Sequence, residues 1–198
     1  MKAGKICKKG VSQLSSQLSS QLSSRSSQNS PFDISFSAFV FPTENPEKVM
    51  RSILNLVNYG RPKTEVPVLE NTIVCTPATA DGILVQKLSL FGGLDLLFGI
   101  HYLVRREEII DTMRSELEHG ILEESDSGDE ISKTVIFLNK QVAYVKRLNF
   151  PADAEPLGSV ELEIQADSPA RLAKVIEWLA PPTKEGVALY ELKVEDLF

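Results

Sequence analysis

Residues 133–150, KTVIFLNKQVAYVKRLNF, place Asn139, Lys140 and Gln141 in the middle of what otherwise reads as one long apolar strand. The simplest way to accommodate three polar residues there is to reverse the chain. With Asn139 and Lys140 in a two-residue turn, Leu138 faces Gln141, Phe137 faces Val142, Ile136 faces Ala143 and Val135 faces Tyr144. Directly opposed residues of an antiparallel pair lie on the same side of the sheet. One face of the predicted hairpin therefore collects Val135, Phe137, Val142 and Tyr144, and the other collects Ile136, Leu138, Ala143 and Val145. Asn tolerates the positive φ that such turns require, although Lys140 stands where Gly is usual. A hairpin apolar on both faces must be covered twice. The pattern thus predicts helices on one side, and the final strand or a second copy of the chain, as a homodimer, on the other.

The flanking sequence supplies those elements. FDISFSAFVF (32–41) begins in strand alternation and turns uniformly apolar, as a strand entering a core does. In the next segment Asn45 can cap a helix, Pro46 is preorganised for its first position and Glu47 suits the positive end of its dipole. Val49, Ile53, Leu56 and Val57 line one face of this helix, over 46–57. Residues 61–77 carry Pro62, Pro67 and Pro77, so a strand there, best placed at 68–76, is expected to lie at an edge or be interrupted, and 83–88 predict a second strand. One helix is expected over 104–119, ended by Gly120 as a left-handed cap. Residues 157–164 alternate as a half-exposed strand. Ser168 and Pro169 open a helix to 179, stopped by Pro181 and Pro182, and 187–194 place Ala188, Tyr190, Leu192 and Val194 on one side of a last strand. The apolar run 88–104 contains Asp95, His101 and three glycines, so it reads as a buried helix or helix-turn rather than a membrane span.

Charge divides the chain. Residues 1–30 carry Lys2, Lys5, Lys8, Lys9 and Arg25 and no acid, leaving 16 basic against 27 acidic residues, a net of −11, in 31–198. The first 30 residues, with SQLS repeated three times, are too poor in apolar groups to offset the entropy of ordering, so a disordered basic tail is expected before a single α+β domain over 31–198. No apolar core of export-signal length follows the first ten residues. Cys7 and Cys75 are too few for a disulfide framework or a zinc spacing, which points to a reducing cytoplasm. The acidic loop 121–132 lacks the alternating oxygens, central Gly and closing Glu of a calcium loop. His101 and His119 have no partner in sequence, and no phosphate-cradling loop or nucleophile elbow is present. The sequence nominates no catalytic, metal-binding or cofactor-binding residue, and a non-catalytic protein is expected.

Several stretches together carry a resemblance: FPTENPEKV, REEIIDTMRSELEHGI, FLNKQVAYVKRLNF, EPLGSVELEI and SPARLAKVIEWLAPPTKEG. In order and content they resemble an archaeal group, uncharacterised protein family 0201, over most of 32–186. The chain departs from that group in its serine-rich extension, in the apolar run 88–104 and after 186. The resemblance implies an α+β fold similar to the fifth protein of the large ribosomal subunit, a largely antiparallel sheet with helices packed on one face. Two functions follow. In the first, RNA or a ribonucleoprotein is the partner, with Lys140, Lys146 and Arg147, together with Arg105 and Arg106, neutralising phosphates and Tyr144 offering a stacking face. In the second, the apolar face of Ile136, Leu138, Ala143 and Val145, together with the last strand, docks on another chain.

Overall fold

The structure is a computed structural model that describes residues 31–61, 67–123, 132–151, 155 and 157–198. The predicted tail over 1–30 and most of the acidic loop 121–132 lie outside these residues.

Six strands form one antiparallel sheet: β1 (Phe32–Val40), β2 (Val74–Ala80), β3 (Ile83–Gly92), β4 (Ile121–Glu123), β5 (Ser132–Leu138) and β6 (Val160–Ala166), in the order β2-β3-β1-β6-β5-β4. Five helices pack against it: α1 (Pro46–Asn58), α2 (Phe98–Arg106), α3 (Ile110–His119), α4 (Lys140–Tyr144) and α5 (Pro169–Leu179). A short ribbon of β7 (Thr183–Lys184) and β8 (Val187–Ala188) follows. The architecture is α+β, as the sequence predicts. Alternation of the two central strands determines which face is buried. Phe32, Ile34, Phe36 and Ala38 of β1 and Val160, Leu162 and Ile164 of β6 point into the helical layer and are buried. Each large apolar side chain so covered contributes about 1.5–3 kcal/mol relative to exposure. The opposite face carries Asp33, Ser35, Glu161 and Glu163, with exposed Phe91 and Phe137 toward its sides.

The start signals of two helices act as their sequence predicts. Asn45 Oδ1 accepts from Glu47 N at 2.8 Å to start α1, and Ser168 Oγ accepts from Arg171 N at 3.4 Å to start α5.

The hairpin at 133–150 does not form. β5 ends at Leu138, paired with β6 along its whole length and with β4 over Ser132–Thr134, and Lys140–Tyr144 turns into a helix instead of returning as a strand. Asn139 is instead a helix cap: its Oδ1 accepts from Gln141 N and Val142 N at 3.0 Å each, starting α4. Its amide nitrogen donates to Glu155 Oε1 at 2.7 Å, and its backbone N to Asn149 O at 2.8 Å. Ile136, Leu138 and Ala143 are buried in the chain's own core, and Val145 is exposed. Three of the four residues invoked for a homodimer face are therefore already covered by this chain.

Three other expectations are corrected. The run 88–104 holds the second half of β3, a 3₁₀ turn at Leu94–Leu97 and most of α2, rather than one helical unit. The helix expected over 104–119 is two helices, α2 and α3. Glu108 N donates to Arg105 O and Ile109 N to Val104 O, a Schellman ending with Glu108 at φ 56°. Gly120 is right-handed at φ −80°, and it is small for another reason: a Cβ there would stand 2.1 Å from Val135 O. Finally, only Val187–Ala188 of the predicted last strand is extended in a ribbon, and Val194–Leu197 is a 3₁₀ turn that buries Leu197.

Candidate nucleic-acid interface

The six residues nominated by the sequence separate into three that are brought together with Arg106 and two that serve the fold. Lys140 is 4 % exposed. Its ammonium donates to Phe39 O at 2.8 Å and pairs with Glu44 Oε2 at 2.9 Å, with the Phe41 ring 5.6 Å away. A buried amine so engaged does not reach a phosphate. Arg105 closes the end of α5: it donates to Leu179 O and Trp178 O at 3.1 Å each and pairs with Glu191. These bonds satisfy carbonyls at the end of a helix that have no partner within it.

Tyr144, Lys146, Arg147 and Arg106 do converge. α4 ends as α2 does: Lys146 N donates to Ala143 O and Arg147 N to Val142 O, leaving Lys146 at φ 62°. That reversal places Arg147 against the end of α2. Its Nε and Nη2 donate to Glu107 Oε2 at 3.0 and 2.7 Å, while Arg106 lies 3.1 Å from Glu107 Oε1. Arg106 also donates to Lys146 O at 3.2 Å and stacks on Tyr59, its guanidinium carbon 4.7 Å from the ring centroid. The hydrogen bond from Arg147, then the charges of Arg147 and Arg106, hold the Glu107 carboxyl below its ordinary pKa, against the opposing effect of burial. Glu107 thus stays ionised and fixes two guanidiniums at the surface.

α1 supplies residues that the sequence does not nominate. Lys48, Arg51 and Asn55 recur at helical spacing on its rim. Asn55 donates to Ala143 O at 3.2 Å and Tyr144 O at 2.8 Å, locking α1 to α4, and Lys48 Nζ lies 6.0 Å from the Tyr144 ring centroid. One step past the helix, Tyr59 meets Tyr102 of α2 at 5.5 Å between centroids. Lys48, Arg51 and Lys146 have no ion pair among the described residues. The result is a strip of cations and tyrosines running along α1, past α4, to the end of α2. The helical spacing of Lys48, Arg51 and Asn55 is visible in the sequence; that α4 lies beside it is not.

The histidines take no part. His101 stacks on Trp178 at 4.5 Å, and burial, reinforced by Arg105 and opposed by Glu191, pushes its pKa down to about 4. His119 Nδ1 lies 2.6 Å from Ser115 O within α3. Among the described residues no helix is long and apolar enough to cross a membrane, and no group of three or more His, Cys, Asp or Glu is placed to hold a metal ion.

Fold and strip define an α+β protein with a basic, aromatic-bearing helical edge on an otherwise acidic body. A family model described as RNA binding matches residues 33–166, a span that contains the whole strip. The chain belongs to the UPF0201 family. A UPF0201 protein of Methanosarcina acetivorans is 39 % identical over 164 residues, 82 % of this chain and 93 % of that protein. One from Thermococcus onnurineus is 35 % identical over 159 residues, 79 % of this chain and 97 % of that protein. The crystal structure of a UPF0201 protein from Methanococcus jannaschii superposes with a TM-score of 0.58 at 28 % identity, covering 80 % of this chain and 99 % of that one.

Proposed function

We propose that this protein binds RNA, without catalysing a reaction, through the strip formed by Lys48, Arg51, Tyr59, Tyr102, Arg106, Tyr144, Lys146 and Arg147. The observation that carries the reading is the placement of Lys48, Arg51 and Lys146, cations without an ion pair among the described residues, beside exposed tyrosines on a body whose net charge is negative. Phosphate neutralisation supplies affinity and aromatic faces accept bases. A local patch suffices even when the whole-molecule field opposes a polyanion. The RNA-binding description of the matching family model points the same way. A binding module is favoured over an enzyme because the buried amine of Lys140 is consumed by Glu44 and Phe39 O.

Replacing Lys48, Arg51, Lys146 and Arg147 together by Ala tests the reading. Affinity for RNA should fall, and the slope of log K against log salt should flatten by roughly 0.7–0.9 for each phosphate no longer neutralised. Neutralising Lys2, Lys5, Lys8, Lys9 and Arg25 in the full chain is the control. Binding abolished by that control and untouched by the strip variant would refute the assignment.

A further inference from the structure

Resting on the RNA-binding reading, we infer that the groove between the β1–α1 turn and α4 receives one unpaired nucleotide, its base on Tyr144 and its phosphate at Lys48. The groove encloses about 400 Å3 and is lined by Thr43, Glu44, Lys48, Ser52, Gln141 and Tyr144, among others. That is within the range of small-ligand pockets, about 300–1,000 Å3. Its electrostatics are set by a compensation: Glu44 is neutralised by Lys140, which leaves Lys48 as the lining cation without a carboxylate partner among the described residues. Tyr144 is 37 % exposed and the Lys48 ammonium lies over its ring, 6.0 Å from the centroid, so a base laid on that ring would take the place of an ammonium free to swing to the adjoining phosphate. Gln141, exposed at the rim, offers both a donor and an acceptor to a base edge.

This arrangement selects unpaired RNA. A base stacked inside an A-form duplex has no free face to lay on Tyr144, whereas loops, bulges and single strands splay their bases outward. Cations elsewhere in the strip serve either form, because both present phosphates.

The test measures binding of the full chain to a labelled single-stranded RNA of about twelve nucleotides and to its duplex, at one salt concentration. The single strand should bind more tightly. Tyr144→Leu should weaken the single strand by about 5- to 150-fold, the range expected on removing one base–aromatic stack. The same variant should weaken the duplex by a much smaller factor, and Tyr144→Phe, which keeps the ring, should bind the single strand more tightly than Tyr144→Leu. A single strand carrying 4-thiouridine should crosslink to Tyr144 or Gln141 in the unmodified protein, a readout independent of how well any variant folds. Equal affinity for strand and duplex, an equal weakening of both by Tyr144→Leu, or crosslinks confined to other segments would overturn the inference while strip-cation variants still weakened binding. Binding of neither RNA would overturn the RNA reading itself.

Discussion

Lys140 Nζ and Glu44 Oε2, 96 residues apart in sequence, form a 2.9 Å ion pair in which both side chains are almost wholly withdrawn from solvent. The pair joins the start of α4 to the turn between β1 and α1. The same Glu44 oxygen accepts from Phe41 N at 3.0 Å, so one carboxylate organises the turn as well as the amine.

Removing one partner strands the other in the interior. Lys140→Ala should destabilise the protein by about 3–5 kcal/mol in urea unfolding, whereas replacing both residues by apolar groups of similar size should cost far less. Equal destabilisation of the single and double variants would show that packing, not charge, governs the position.

Gly99 admits no side chain. A Cβ there would stand 1.8 Å from Leu56 O, where α2 crosses α1. Gly99→Ala should therefore cost about 1–3 kcal/mol through forced separation of the two helices. RNA affinity should fall too, because α1 and α2 carry cations of the strip. A fully stable alanine variant would contradict the close approach.

Glu108 holds φ at 56°, a conformation that costs an L-residue roughly 1–2 kcal/mol. Gly relieves that cost but gives back about 0.5–1 kcal/mol in chain entropy. Glu108→Gly should accordingly be neutral or stabilising by up to about 1 kcal/mol, read from the urea midpoint. A clear destabilisation would mean that the Glu108 side chain supports the helix junction.

His101 makes stability depend on pH. Its pKa is about 4 in the folded protein against 6.5 when unperturbed, so between these values the unfolded chain binds more protons. Stability should therefore rise with pH from about 4 to 6.5, and this contribution should level off above that. His101→Gln should remove its share of the slope. An imidazole NMR titration with a midpoint near 6.5 would refute the assignment.

Helix beginnings are more legible in this sequence than helix endings. Asn45–Pro46 and Ser168–Pro169 carry their capping chemistry in consecutive residues. Glu108 and Lys146, by contrast, end helices in a left-handed conformation where Gly is the expected residue, so nothing in their chemistry marks the breaks. The two candidate turns show which local signal is decisive. Asp81–Gly82, both at positive φ, joins β2 to β3 and is among the strongest of short hairpin signals, although separate strands over 68–76 and 83–88 make no use of it. Asn139–Lys140 lacks the Gly, and an Asn before a helical segment is equally a cap, which is the role it fills. Of the site, Tyr144, Lys146, Arg147 and Arg106 are legible as basic or aromatic residues flanking an apolar run. Lys48 and Arg51 are not, because their relevance depends on α1 lying against α4.

The strip is assembled from residues 48–59, 102–106 and 144–147, which are held together by contacts that include Asn55 on α4, Gly99 under α1 and Glu107 between two arginines. A fragment containing one of these segments would hold charges but not their arrangement. RNA would then act as a mass-action ligand of the native state alone, adding about 2.7 kcal/mol when present at a hundred times its dissociation constant. The protein's melting temperature would become a measure of how much RNA surrounds it.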